Sequence, residues 1–205
     1  MLRRFLAPRR GAVTVLALVP ALGAGAALAQ DTALPDFQTC MDIELAHFEQ
    51  RLSMHAEVPL EDVAGGLWQV TDTYYCGTVG IVRCDRSDRR VACQEELEAE
   101  QDDMAEAVRA GLPDPDSMGA QDEGWARRLY RQAHALALGS SAGPDCAGND
   151  ELMEAWCAAR EANTRLRSAI LAWQVGRYLG ITESAVDAGW ANPPPPVRPW
   201  PRPEQ

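Results

Sequence analysis

Six cysteines, all downstream of an N-terminal segment with the layout of an export signal, constrain this chain more than any other feature. Cys40, Cys76, Cys84, Cys93, Cys146 and Cys157 leave no odd thiol. Exported compartments oxidise thiols that the cytosol keeps reduced, so an even set beyond an export signal predicts a disulfide-stapled fold. Six cysteines allow fifteen pairings, and the spacing narrows them only slightly. Cys76, Cys84 and Cys93 crowd one stretch, so at least one of the three must pair outside it. Cys146 and Cys157 are close enough to pair locally, the loop between them folding back on the first turns of a helix. The chain has no CxxC and no CxxCH. That removes a zinc knuckle, a thioredoxin-like couple and covalent c-type haem, and leaves the cysteines as staples.

The export signal is expected over residues 1–29. Arg3, Arg4, Arg9 and Arg10 form a positive start, residues 11–22 are apolar, and Ala27-Leu28-Ala29 makes a small-residue cleavage site ahead of Gln30. Pro20, Gly23 and Gly25 argue against this stretch persisting as a membrane-spanning helix. The arginine pairs do not carry the full twin-arginine export pattern. No later apolar run reaches the roughly 20 residues needed to span a bilayer, so no membrane insertion is expected after cleavage, and the expected location is the periplasm.

Four segments read as amphipathic helices. The first runs from about Asp36 to Ala56, with Phe37, Met41, Leu45, Phe48 and Leu52 on one face. The second starts near Cys93, carries Leu97, Met104 and Val108 inward, and ends at Gly111 and Pro113. The third, Asp122 to Leu138, groups Trp125, Leu129, Ala133 and Leu136. The fourth is capped by Asn149 or Asp150 and runs to about Leu179, before Gly180. Its seam is Leu152, Trp156, Ala159, Asn163, Leu166, Ile170 and Trp173, in which a buried Asn163 would need a hydrogen-bond partner. Residues 65–92 change character: β-branched and aromatic residues interrupted by Gly77 and Gly80 predict a short hairpin or an irregular excursion. The expected fold is therefore mainly α, a disulfide-stapled bundle of about four helices with a hairpin or irregular insertion near 65–92. It occupies residues 30–191, and residues 192–205, with seven prolines, form a disordered Pro-rich tail.

The chain carries 19 cationic residues, all arginine, and a formal charge of −11. Loss of the four signal arginines takes this to −15. Such an anion is repelled by nucleic acid and by anionic lipid, which excludes both as ordinary partners. A cationic protein partner suits the charge, because opposite fields speed encounter and suppress wrong pairings. The densest acidic run, Glu95, Glu96, Glu98, Glu100, Asp102, Asp103 and Glu106, lies on the second helix. A solvated run of this kind does not provide the shielded acid that carboxylate catalysis needs.

His47 and His55 are eight apart on one helix and His134 is on another, whereas helical metal ligands usually sit four apart. No metal or cofactor is expected. Trp68, Trp125, Trp156 and Trp173 read as core residues. GxSxG, GxGxxG and P-loop patterns are absent, so the chain is not expected to be an enzyme.

Residues 145–161 read Asp-Cys-Ala-Gly-Asn-Asp-Glu-Leu-Met-Glu-Ala-Trp-Cys-Ala-Ala-Arg-Glu. The stretch resembles the opening of the LprI-like lysozyme-inhibitor family of small secreted helical proteins. In that family a DC is followed by a second cysteine and a helix. Cys146, Glu154, Cys157 and Glu161 match the shape, and Trp173-x3-Arg177 is similar to the family's W-x3-R. The family's Leu-Asn-x-x-Tyr and closing cysteine are missing from this chain. The resemblance implies a non-catalytic envelope protein that binds a cationic lysozyme. The rival readings are an accessory or structural subunit of an envelope complex, docked through the tail or the acidic helix, and a hydrolase built from scattered carboxylates and histidines.

Overall fold

A computed structural model describes residues 34–55, 57–59, 62, 70–118, 124–139 and 146–194. The elements are α1 (Phe37–His55), α2 (Val70–Asp85), α3 (Arg90–Ala110), a 3-10 turn (Pro115–Met118), α4 (Trp125–Gly139) and α5 (Glu151–Tyr178). No strand occurs among the described residues. The protein is thus a disulfide-stapled helical bundle. Residues 1–29, expected to be an export signal, together with Trp68 and residues 195–205, lie outside the described residues.

Helix α2 corrects the expectation of a hairpin or irregular insertion near 65–92. Residues 70–85 are helical, and Thr73, Cys76, Gly77, Gly80, Ile81 and Cys84 turn inward with helical rather than alternating spacing. Local composition favoured a strand, and tertiary packing overrode it. The two glycines are contact points rather than turn residues. A Cβ on Gly77 would stand 2.2 Å from Asn163 Cγ, and one on Gly80 2.8 Å from a Leu97 methyl. Removing the side chain at both positions lets α5 and α3 close onto α2.

The hub is α5, which α2, α3 and α4 all flank. Asp150 caps it, accepting from the Met153 N–H at 2.9 Å, with Glu151 and Glu154 in the first turn, where the helix dipole favours negative charge. Ala159, Leu166, Ile170 and Trp173 are buried along the expected seam, while Leu152 and Trp156 are only partly covered. Asn163 is buried in that seam and donates through Nδ2 to the Tyr74 carbonyl at 3.0 Å.

Helix α4 is rotated from its expected orientation. Tyr130, Ala133 and Ala137 face inward, whereas Trp125 is 45% and Leu136 60% exposed. Tyr130 sets the rotation: its ring packs at Gly176 of α5 and its hydroxyl donates to the Pro113 carbonyl at 2.8 Å. Trp125 is therefore not a core residue.

After α5 the chain returns across α1 as a strap. Gly180 (φ +67°) turns it, Trp190 packs edge-on against Trp173, and Trp173 in turn meets Phe48 of α1. Asn192, expected to open the free tail, is pinned instead: its backbone N–H and its Nδ2 both donate to Asp42 at 2.9 Å. The packed chain therefore reaches beyond residue 191.

Candidate functional site

All six cysteines are paired. Cys40–Cys76 ties α1 to α2, Cys84–Cys93 ties the end of α2 to the start of α3, and Cys146–Cys157 closes the loop ahead of α5 onto its second turn. The last is the local pair that the spacing allowed, and Cys40 is the outside partner that the crowded trio required. In the loop it closes, Gly148 N–H donates to Glu154.

The histidines do not converge. His47 sits by Glu44 at 3.5 Å, His55 lies against the Arg51 carbonyl at 2.8 Å, and His134 packs on the Tyr130 ring. Among the described residues no group of three or more His, Cys, Asp or Glu is placed to hold a metal ion.

The acidic helix does form a surface feature. The exposed face of α3 meets the start of α1 and the end of α2 around a cleft of about 350 Å³. Asp36, Glu96 and Glu100 line it together with Arg83, over a floor that includes Phe37 and Leu97. Asp36 caps α1: the Thr39 N–H donates to one carboxylate oxygen at 2.7 Å and the Thr39 hydroxyl to the other at 2.9 Å. The backbone hydrogen bond from Thr39 is the main reason that its carboxyl is held below the usual range. Glu100 is pushed the other way, first by burial and then by the Asp36 charge. Glu98, on the α5 side of the helix, is also raised, by burial and by Asp102.

Cations only partly balance this face. Arg165 grips Asp102 with two bonds of 2.8 and 2.6 Å and reaches Glu161, and Arg89 pairs with Glu96 at the surface. Glu95, Asp103 and Glu106 point to solvent with no cation in ion-pair range among the described residues. The face is therefore a field of crowded carboxylates, two of them ionising less readily than usual. Such a field attracts a positively charged surface and gains most where the incoming cation relieves like-charge contact.

The W-x3-R residues act on the fold. Trp173 Nε1 donates to the Glu183 carbonyl at 3.0 Å. Arg177 clamps Glu49 of α1 through Nε and Nη2, both at 2.8 Å, and donates from Nη1 to the Thr182 carbonyl at 2.9 Å. Together they fasten the strap. Sequence reasoning found neither Glu49 as the partner of Arg177 nor Asp42 as the partner of Asn192, because these contacts join residues 128 and 150 positions apart and no spacing rule links them.

Among the described residues, fold and surface together define five helices stapled by disulfides, with a carboxylate-rich face. No family model matches the chain, and neither a curated protein nor a solved structure is found similar to it. Among the described residues no helix is long and apolar enough to cross a membrane.

Proposed function

We propose that this is an exported, periplasmic, non-catalytic protein that binds a cationic protein through the carboxylate face of α3 and the cleft beside it. The supporting observation is the imbalance of that face. Among the described residues Glu95, Asp103 and Glu106 have no cation in ion-pair range, while burial and the Asp36 charge hold the Glu100 carboxyl above its usual range. The residues resembling the lysozyme-inhibitor family, Cys146, Glu154, Cys157, Glu161, Trp173 and Arg177, make a cationic lysozyme the first partner to try. Three disulfides suit an oxidising compartment.

The test is titration calorimetry against a cationic lysozyme at two salt concentrations, because the screening length falls from about 30 Å at 0.01 M to about 8 Å at 0.15 M. A complex that weakens steeply with salt, and weakens further in a Glu95→Gln/Glu100→Gln/Asp103→Asn variant, supports the reading. No complex at low salt removes lysozyme as the partner. Binding unaffected by the triple substitution removes this face as the site.

A further inference from the structure

A second concavity lies on another flank of α1, away from the acidic cleft. It is a groove of about 320 Å³ between α1 and the strap. Leu45 and Ala46 form one wall, and Ala185, Val186 and Ala191 form the other. Asp42 stands at its edge beside Asn192, and Glu49 lies further along.

The two carboxylates differ. Glu49 is neutralised by the two-pronged contact with Arg177. Asp42 is held by neutral donors only. Its Oδ1 accepts from Gln38 Nε2 at 2.8 Å and from the Asn192 N–H at 2.9 Å, and its Oδ2 accepts from Asn192 Nδ2 at 2.9 Å. No cation lies in ion-pair range of it among the described residues. A full negative charge is thus fixed in place at the edge of an aliphatic groove.

A carboxylate offers about four acceptor positions, and among the described residues three of these are occupied, leaving one on Oδ2. A guanidinium binds a carboxylate best through two parallel N–H groups, and Asn192 already occupies that edge. An ammonium is a compact charge that needs a single acceptor, and a lysine stem is four methylenes that lie well on apolar surface. The chain itself contains no lysine, so a second copy has no such side chain to offer.

We propose that the α1–strap groove is the docking point for a lysine side chain of the cationic partner, its stem against Ala46 and Ala185 and its ammonium on Asp42 Oδ2. This rests on the cationic-protein reading above and adds the chemistry of one contact. The groove selects lysine over arginine because the strap has spent the second acceptor.

The test needs no partner protein. The full exported chain is titrated with Nα-acetyl-lysine methylamide and with its arginine and norleucine counterparts, following the Ala46, Ala185, Ala191 and Val186 methyl signals by NMR. The lysine compound is expected to shift these methyls and to bind about two- to fivefold tighter than norleucine, the size of effect that one exposed ion pair gives. Ala46→Phe, which fills the groove, should abolish the shifts. Asp42→Asn, which removes the charge at nearly the same size, should bring lysine down to the level of norleucine, and it keeps the test open if Ala46→Phe does not fold. Equal binding of lysine and norleucine, preference for arginine in the unmodified chain, or no methyl shift with any of the three overturns the proposal. If the groove fails while a cationic protein still binds in a salt-dependent way, only this inference falls. If lysine enters the groove and no cationic protein binds, the functional reading falls instead.

Discussion

Replacing Gly77 by alanine separates the helix–helix account of this residue from a local one. Alanine in place of glycine in an ordinary helix stabilises by about 0.5–1 kcal/mol, because it restricts the unfolded chain. Here the added methyl would stand 2.2 Å from Asn163 Cγ, 2.3 Å from its Oδ1 and 2.5 Å from its Nδ2. All three lie inside any tolerable contact, so Asn163 must move or α2 and α5 must separate. Forcing a methyl into a packed interface typically costs about 1–3 kcal/mol. Displacing Asn163 also breaks its bond to the Tyr74 carbonyl, and a buried amide left without partners costs about 1–3 kcal/mol more. Set against the propensity gain, the net loss is roughly 2–4 kcal/mol, a fall in Tm on the order of 10 °C for a chain of this length. Thermal melts followed by circular dichroism measure it directly. Combining the change with Asn163→Ala should recover part of the loss, since the two side chains compete for one space and their effects do not add. A Gly77→Ala variant with a raised Tm, or strict additivity in the double variant, would show that α2 does not meet α5 through this glycine.

Three further outcomes follow from other contacts. Removing Cys40–Cys76, which spans 36 residues, should cost about 3.8 kcal/mol on chain entropy, against about 2.6–2.8 kcal/mol for the bridges spanning 9 and 11, so single Cys-pair-to-Ala variants should rank in that order in urea melts. Burial, followed by the Asp114 charge, pushes the Tyr130 hydroxyl up to about 12. The folded protein therefore keeps this proton while the unfolded chain releases it near pH 10, so stability should fall between about pH 10 and 12, and Tyr130→Phe should remove that component of the slope. Arg177→Lys keeps the charge but loses the fork on Glu49 and the bond to Thr182, so it should lower stability by about 1–3 kcal/mol and speed amide exchange in residues 182–192. Unchanged exchange there would show that the strap is held without the Arg177 clamp.

The legible parts of this protein are those governed by neighbours in the chain. The 3–4 spacing of Phe37, Met41, Leu45, Phe48 and Leu52 found α1 and its buried face; Asn149 or Asp150 marked the start of α5, where Asp150 is the cap, and Gly180 its end. An even set of cysteines indicated disulfides, and proximity allowed Cys146–Cys157. The acidic face of α3 was equally visible, because a solvated charge run follows from helical periodicity alone.

Elsewhere the outcome depended on what approached from a distance. Residues 70–85 carry strand-like composition and became a helix because Asn163 and Leu97 fill the spaces that Gly77 and Gly80 leave empty. Trp125 kept a helical position but lost the core, since Tyr130 fitted against Gly176 and turned the helix. The groove beside Asp42 exists only because the strap returns across α1 from 150 residues away. Helices and charge faces are fixed by energies that act within a few turns, and so they can be read from the chain. Which faces meet, and which carboxylate keeps a free acceptor, depends on packing between remote segments, and that was settled only in three dimensions.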